Sequence, residues 1–209
     1  MTEQFENQFL AFITNEMQQD PAHDINHVIR VVSMAKSLCY EEKANIDVVL
    51  PAAYLHDCFT FPKNHPNRAL SSVKAADKAL SFLNSCGYPK QFDSEIHHAI
   101  VAHSYSANVV PETLEAKIVQ DADRLDSLGA IGIARCIQVS ASFGSQLYSA
   151  DDPFCDKRET QDKAFTVDHF FTKLFKLESL MNTDSAKAEA SRRTQYMKGF
   201  LNQLKQEIE

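Results

Sequence analysis

The stretch Ala52-Ala-Tyr-Leu-His-Asp-Cys-Phe-Thr60 ends an apolar run on a histidine next to an aspartate, His56-Asp57. A run this apolar is expected to be buried, and a buried imidazole beside a buried carboxylate is costly unless another group compensates for their lost hydration. A bound metal ion would do so. The pair therefore predicts a metal site, provided that the chain supplies further ligands.

Two other segments contain residues of the right type. His27 lies in His23-Asp-Ile-Asn-His-Val-Ile-Arg-Val31, and Asp123 lies in Ile118-Val-Gln-Asp-Ala-Asp-Arg-Leu-Asp126. Imidazole nitrogens together with carboxylate oxygens suit a divalent ion, and Mn²⁺, Fe²⁺, Co²⁺, Ni²⁺, Zn²⁺ and Mg²⁺ all stay open on this donor set. Protein ligands from these residues would leave about two positions on an octahedral ion for water or phosphate, which is typical of a catalytic site.

Asp121 competes with Asp123 for the place of the last ligand. The two residues are two positions apart on a helix, so they do not share a face, and spacing alone does not choose between them. The alternative for the whole set is that both histidines are core residues and the aspartate lies on the surface. We disfavour it because buried charges require partners, and here the partners converge.

Apolar residues recur at helical spacing through most of the chain, and the sequence contains no alternating run long enough for a β-strand. Only five glycines are present, fewer than an all-β or Rossmann-type protein normally needs. The pattern predicts an all-α, single-domain helical bundle over residues 1–209, with a metal-site core of about 20–130 and a helical extension of about 131–209. The predicted helices are Glu3–Gln19, a helix capped by Asp20-Pro21 and ending near Tyr40, a helix from Asn45 or Asp47 to the His-Asp pair, Asn67–Cys86, Phe92–Tyr105, Glu112–Ser142 with a break near Gly129, Ala164–Met181 and Asp184–Glu209.

Composition narrows the partners and the compartment. The formal net charge of −7 makes a nucleic-acid backbone an improbable main partner. The amino terminus lacks the pattern of a signal peptide and no apolar run is long enough to cross a membrane, which predicts a soluble cytoplasmic protein without a membrane partner. The five cysteines are odd in number and form no CxxC pair, which predicts reduced thiols.

The order His27, His56-Asp57, Asp123 resembles the HD superfamily of metal-dependent phosphohydrolases. The similarity extends over most of the chain and is greatest to the YedJ/YpgQ-like group of small bacterial HD-domain phosphohydrolases. The segments that carry it are His23-Asp24 with His27 and Arg30-Val31, Lys63-Asn-His-Pro66, His98 with Ala102-His-Ser104, Lys117-Ile-Val-Gln-Asp-Ala-Asp-Arg-Leu125, Gly129-Ala-Ile-Gly132, Asp152-Pro-Phe154, and Asp168-His-Phe170 with Lys173-Leu174.

This resemblance implies an all-helical fold and a metal held by His27, His56, Asp57 and Asp123. It also selects Asp123 over Asp121, because HD proteins place the ligand in an Ala-Asp-x-Leu context, which is Ala122–Leu125 here. The implied activity is divalent-metal phosphohydrolysis. Mn²⁺ is favoured because at least one relative is a Mn-dependent enzyme that cleaves deoxynucleoside triphosphates to monophosphate and pyrophosphate.

His98 and His103 are further candidates for catalysis. HD relatives with two metals add histidines between the His-Asp pair and the last Asp, so these residues could bind a second ion, or one could protonate the leaving group. A hydrogen-bonded structural histidine is an equally good interpretation. Their spacing of five does not place both on one helical face.

Four cationic residues are candidates for binding the substrate's phosphates. Lys63 and Arg68 follow the His-Asp pair within one loop, and Arg124 follows Asp123 directly. Lys173 lies on an otherwise apolar aromatic helix, where it either extends its charged end to solvent or points into a pocket. For each of the four, a solvated surface position is the alternative.

We therefore expect an enzyme that hydrolyses a small nucleotide, with nucleoside triphosphate to monophosphate plus pyrophosphate as the preferred reaction. Within the enzyme class, the alternative is a nucleotide monophosphatase or a cyclic-nucleotide phosphodiesterase. Outside it, the alternative is a metal-stabilised helical module that binds a nucleotide without turnover. The terminal helix, with Arg192-Arg193 and acidic partners, is either a solvated surface or the contact of a homodimer.

Overall fold

The computed structural model describes residues 2–17, 24–62, 65–104 and 107–208, with the side chains of residues 2 and 3 not described. These residues form α-helices and short 3₁₀ helices, and none of them lies in a β-strand; Gln146 and Phe165 form an isolated bridge. The all-α prediction is confirmed. The α-helices are α1 (Glu6–Glu16), α2 (Ile25–Glu42), α3 (Ile46–Leu55), α4 (Ser71–Ser85), α5 (Asp93–His103), α6 (Leu114–Leu125), α7 (Gly129–Ser142), α8 (Thr166–Thr172) and α9 (Asp184–Ile208).

The observed boundaries follow the predicted ones to within a few residues. The predicted break near Gly129 is present, since α6 ends at Leu125 and α7 begins at Gly129. The helix predicted over Ala164–Met181 is α-helical only in its first part, Thr166–Thr172, and continues as a 3₁₀ helix over Leu174–Leu180. The predicted cap at Asp20-Pro21 lies outside the described residues. Helix α2 begins at Ile25, where the Asp24 carboxylate accepts the hydrogen bond of an N-cap.

Contacts between residues divide the chain into two compact units, Met1–Asp123 and Arg124–Glu209. The division proposed from the sequence, with a core of about 20–130 and an extension of 131–209, stays a prediction. None of the described helices combines the length and the apolar composition that crossing a membrane requires. All five cysteines are free, as predicted.

Helix α3 is the central element of the first unit. It packs against α1, α2 and α5, and every residue from Val48 to Leu55 is buried. Pro51 lies within this helix and has no N–H to give to the carbonyl of Asp47. The hydroxyl of Tyr88 donates to that carbonyl at 2.6 Å, so the group left by the proline is satisfied. A proline is thereby tolerated in the helix that leads to His56-Asp57.

The second unit is built on α7, α8 and α9, with α9 packed against α7 and the 3₁₀ helix. Its first turn, between α6 and α7, is held tightly. Arg135 donates to the carboxylate and the carbonyl of Asp126, and Arg193 donates to the carbonyl of Leu125 at 2.6 Å. A side chain at Gly132 would collide with the backbone of Ser127, so only glycine fits there.

Candidate metal centre

His27 is positioned by the start of α2. Its backbone N–H donates to the Asp24 carboxylate at 2.8 Å, which fixes the first turn of the helix. From this turn the imidazole points to the side of α2 that also carries the buried residues Val28 and Val31. His27 is only 1% exposed. The cap and the apolar stripe together therefore orient one candidate ligand inward.

His56 and Asp57 are positioned by the end of α3. His56 keeps helical backbone angles as the residue after Leu55, and its Nδ1 lies 2.8 Å from the carbonyl oxygen of Ala53. This bond fixes the ring at the end of the buried helix, where His56 is 1% exposed. The Asp57 side chain, by contrast, is 19% exposed. The pair thus joins a buried imidazole to a carboxylate that solvent can reach.

The structure brings four of the predicted ligands together. His27 Nε2 lies 3.4 Å from Asp123 Oδ1 and 3.8 Å from Asp57 Oδ2. His56 Nε2 lies 3.5 Å from Asp57 Oδ2 and 4.0 Å from Asp123 Oδ1. These separations exceed the about 2.7–2.9 Å of a direct charge-assisted hydrogen bond. The four donor atoms therefore surround a common point rather than closing on one another.

The protonation pattern of His56 fits a metal ligand. Because Nδ1 donates to a carbonyl, Nε2 is the unprotonated nitrogen of the neutral ring. That nitrogen is buried and has no hydrogen-bond partner in the described structure. Burial lowers the pKa of His56, which favours the neutral ring. A buried lone pair that faces two carboxylate oxygens is unfavourable without a cation between them, so this donor set fits a divalent metal ion.

Asp123 approaches the same point from the last turns of α6, with its side chain 30% exposed. Burial would raise its pKa, but the nearby His27 and the charges of the neighbouring imidazoles outweigh this effect and lower the pKa below its usual value. The carboxylate is therefore ionised and able to bind a cation. Asp121, the competing candidate, is fully buried two positions earlier on α6.

His103 belongs to the same cluster. Its Nδ1 lies 2.5 Å from the carbonyl oxygen of Ile100, and its Nε2 lies 3.6 Å from Asp57 Oδ1. The His103 ring is 4.9 Å from that of His56. Burial lowers the pKa of His103, yet the interaction with Asp57 outweighs it and the net shift is upward. Asp57 therefore directs one carboxylate oxygen toward His27 and His56 and the other toward His103.

Gln120 is a supporting residue that the sequence reasoning missed. Its side-chain amide donates to the carbonyl of Ala102 at 2.6 Å, and the residue is almost fully buried. This bond ties the end of α5, which carries His103, to α6, which carries Asp123. A polar residue among the apolar positions Ile118, Val119 and Ala122 is the signal that could have revealed it.

His98 occupies a different environment from His103. Its Nε2 accepts a hydrogen bond from the backbone N–H of Glu112 at 2.9 Å. This bond joins α5 to the segment that precedes α6. The Nε2 lone pair is thus already used within the protein, and the catalytic role predicted for His98 stays a prediction.

The two predicted cations of the loop after Asp57 differ in what the structure describes. Lys63 lies outside the described residues. The Arg68 guanidinium donates to the carbonyl of Phe61 at 2.5 Å, so this arginine closes the loop on itself. Binding of phosphate by either residue stays a prediction.

The other two predicted cations lie in the second unit. Arg124 is half-buried and donates to the carbonyl of Leu180 at 2.6 Å. Lys173 is exposed and directly follows α8, its backbone N–H donating to the carbonyl of His169. Neither position tests whether the side chain contacts the substrate, so this role stays a prediction for both residues.

Comparison with known proteins identifies the family. The model of the HD domain matches residues 24–128, a segment that contains His27, His56-Asp57, His103 and Asp123. The chain belongs to the HD-domain family. The resemblance inferred from the sequence is therefore confirmed, and with it the HD-type fold class.

Relatives match the HD-domain protein over nearly its whole length. YpgQ of Bacillus subtilis strain 168 is 32% identical, with 99% of this chain and 93% of YpgQ covered. A crystal structure of B. subtilis YpgQ in complex with ADP gives a TM-score of 0.76 at 30% identity, covering 99% of this chain and 97% of that one. An HD-superfamily hydrolase from Bacillus thuringiensis gives a TM-score of 0.77 at 32% identity, covering 99% and 98%. HD domains are metal-dependent phosphohydrolases, and this HD-domain protein is an enzyme of that class.

Proposed function

We propose that this enzyme hydrolyses a nucleoside triphosphate to the monophosphate and pyrophosphate, with a divalent ion, Mn²⁺ in preference, held by His27, His56, Asp57 and Asp123. The observation that carries the proposal is the convergence of two imidazole nitrogens and two carboxylate oxygens on one point, with atom separations of 3.4–4.0 Å. The ADP complex of the relative YpgQ supports a nucleotide as the substrate.

In the proposed reaction, the oxygen of a water molecule forms a bond to the α-phosphorus. The bond from that phosphorus to the oxygen bridging the α- and β-phosphates breaks, and pyrophosphate leaves with the electron pair. When bound, a divalent ion supplies Lewis-acid chemistry, which polarises phosphoryl oxygens and makes water a better nucleophile. The protein must then hold this water and accept its proton.

Asp57 is the residue we assign to the water. His56 is buried, whereas the Asp57 side chain is 19% exposed, so solvent can reach this carboxylate. One of its oxygens faces His27 and His56, while Oδ1 faces His103 at 3.6 Å. Asp57 can therefore orient the water and accept its proton, and His103 can take up or deliver a proton on the far side of Asp57.

Cationic residues complete the proposed site. The triphosphate carries several negative charges, which an acidic protein must balance locally. Lys63 and Arg68, in the loop that continues directly from Asp57, are the first candidates for this role. Arg124 and Lys173 are the second pair.

Metal content and product analysis test the proposal together. The purified protein is expected to hold about one metal equivalent, in line with the cluster of His27, His56, Asp57 and Asp123 among the described residues. With added Mn²⁺, triphosphates should yield pyrophosphate. Orthophosphate would instead identify a phosphatase, and a ring-opened monophosphate from a cyclic nucleotide would identify a phosphodiesterase. Bound metal without turnover of any nucleotide would contradict catalysis and leave a binding module.

His103 and His98 form a matched pair for testing the proton role. His103→Gln removes the imidazole next to Asp57 and should lower kcat about 100-fold, the usual scale for a general acid or base. His98→Gln, on the same helix, tests the other predicted catalytic histidine: its ring accepts a backbone N–H, and if that bond is its whole role, kcat should stay within about threefold. Equal losses in the two variants would contradict the assignment to His103, and metal content should stay unchanged in both.

A further inference from the structure

Two aromatic rings are stacked in the loop that follows the His-Asp pair. The rings of Phe61 and His65 lie 4.3 Å apart and only 7° from parallel. Phe59 contacts the Phe61 ring edge-on, at 4.9 Å and 90°. All three side chains are half-buried, so part of the aromatic surface faces solvent. The loop therefore leaves part of this aromatic cluster at the surface rather than burying all of it in the core.

Hydrogen bonds on both sides hold this stack in place. The Phe61 N–H donates to the Ser71 hydroxyl at 3.1 Å, and the Phe61 carbonyl accepts from Arg68. The His65 N–H donates to the carbonyl of Pro62 at 2.9 Å, and His65 Nδ1 accepts from the backbone N–H of Asn67 at 3.1 Å. A ring fixed in this way loses little conformational entropy when a ligand lies against it.

The tautomer of His65 follows from the same bonds. Because Nδ1 accepts a hydrogen bond, the neutral ring carries its proton on Nε2. The ring therefore offers a flat face and, at its edge, one N–H donor. Both features suit a heteroaromatic ligand with hydrogen-bond acceptors.

The stack is also close to the metal cluster along the chain. Phe61 is four residues after Asp57, and four residues span at most about 14 Å. An extended nucleotide with its phosphates at the metal cluster can bridge a distance of this order. Half-buried aromatic rings within this reach of Asp57 are accordingly suited to contact the nucleoside end of such a substrate.

We propose that the stacked pair Phe61–His65 is the platform on which the nucleobase of the substrate lies. This inference rests on the proposed function and extends it by assigning the element that recognises a nucleoside. Stacking tolerates every base, since each presents a π face. The platform should consequently select nucleotides over inorganic polyphosphates while discriminating little among bases.

Inhibition constants provide the first test. His65→Ala should weaken competitive inhibition by ADP about tenfold, the scale of one base–aromatic stack, and change inhibition by inorganic tripolyphosphate less than about twofold. Phe143→Ala, which removes an exposed ring at the end of α7, is the control and should change neither constant. An unchanged constant for ADP, or equal weakening for ADP and tripolyphosphate, would overturn the platform.

Fluorescence gives a second test that needs no turnover. The chain contains no tryptophan, so His65→Trp places the only indole at the platform and keeps a flat ring there. ADP should quench its emission, while inorganic pyrophosphate should not. Phe143→Trp places an indole at an exposed site and should respond to neither ligand. Absence of quenching by millimolar ADP in the His65→Trp variant would contradict the inference.

The two tests separate the platform from the proposed function. If the wild-type enzyme cleaves no nucleoside triphosphate, the proposed reaction is wrong, yet the titration of His65→Trp with ADP still decides whether a base stacks there. If the wild-type enzyme is active and His65→Ala behaves like Phe143→Ala, the reaction stands and the platform is rejected.

Discussion

Two carboxylates of this enzyme differ in how close their basic neighbours lie. One is Asp57 in the first unit, and the other is Asp168 in the second. Asp168 is fully buried and accepts hydrogen bonds from Arg158 at 2.6 and 2.7 Å and from the backbone N–H of Gln161 at 2.6 Å. Asp57 is partly exposed and keeps its distance from His27, His56 and His103, at 3.5–3.8 Å.

The comparison shows that spacing, more than residue type, separates a structural ion pair from a binding site. Around Asp168 the donors are at hydrogen-bond distance, so the charges neutralise each other and nothing further is needed. Around Asp57 the nitrogens of His27, His56 and His103 lie 3.5–3.8 Å from its oxygens, which is longer than a direct ion-pair hydrogen bond, and His56 Nε2 is buried without a hydrogen bond in the described residues. The first arrangement stabilises the fold, and the second is suited to hold a cation.

The largest expected effect is on activity, from Asp57→Asn. The amide keeps the shape of the side chain but removes the charge that binds metal and accepts a proton, so kcat should fall about 1,000-fold and bound metal should be lost. Asp77→Asn, which changes an exposed carboxylate paired with His97, is the control. Nucleotide turnover and elemental analysis measure the effect, and a variant that keeps both metal and activity would show that Asp57 is not part of the site.

A large effect on stability is expected from Arg158→Gln. The change leaves the Asp168 carboxylate buried without its cation and should cost about 3 kcal/mol of unfolding free energy. Arg192→Gln removes an arginine from an ion pair with Glu189 in which Arg192 is 73% exposed, and should cost less than about 1 kcal/mol. Denaturant unfolding distinguishes them, and bound metal should be retained in both. Similar losses of unfolding free energy in the two variants would mean that burial of Asp168 does not determine the size of the loss.

The effect of added metal on the Tm should also distinguish the metal cluster from the Arg158–Asp168 ion pair. Ion binding to the folded state alone should add about 2.7 kcal/mol at a concentration one hundred times the Kd, which raises the Tm by about 5–10 °C in a chain of this length. His56→Ala should abolish the rise on adding Mn²⁺, whereas Arg158→Gln should keep it from a lower starting Tm. A rise that survives in His56→Ala would place the ion elsewhere.

The smallest expected effect is the response of the Arg158–Asp168 pair to pH. Burial would raise the pKa of Asp168, but its hydrogen bonds with Arg158 and Gln161 outweigh this and lower it. Since the folded pKa lies below the unfolded value of about 3.9, the stabilisation is complete above that value and is lost as pH falls through the folded pKa.

The stability difference between wild type and Arg158→Gln should therefore be largest at pH 7 and no larger at pH 5, since burial without Arg158 favours protonation of Asp168 in the variant. It should shrink by a few tenths of a kcal/mol near pH 4 and further below it. Denaturant unfolding at these three pH values measures the difference. If the stability difference between wild type and Arg158→Gln grew on acidification, the result would contradict the lowered pKa of Asp168.

Much of the fold and of the site was predictable because both depend on local pattern. Apolar residues at helical spacing located the helices, and the break near Gly129 was found where α6 and α7 meet. The residues His27 and His56 could be placed at the edge of apolar faces from spacing alone, and the structure shows both imidazoles buried. Local sequence sufficed here because a helix fixes the direction of each side chain relative to its neighbours.

Other features depended on contacts between distant segments and could not be predicted. His98 and His103 lie about 140° apart around α5, so spacing showed only that they differ, not which one meets Asp57. The hydrogen bond from the Arg68 guanidinium to the Phe61 carbonyl could not be foreseen from the sequence, and phosphate binding by Arg68 stays a prediction. The role of Gln120 in joining α6 to α5 likewise required both helices to be in place.

The sequence by itself determined the helical class, because the helical period carries that information, and its resemblance to HD proteins identified the family and supplied the predicted ligand set. The tertiary structure decided which oxygen of Asp57 faces which histidine, that His103 joins the cluster while His98 holds Glu112, and that Phe61 stacks on His65. These outcomes depend on distances of a few ångströms between side chains on different segments, and such distances arise only when the helices pack.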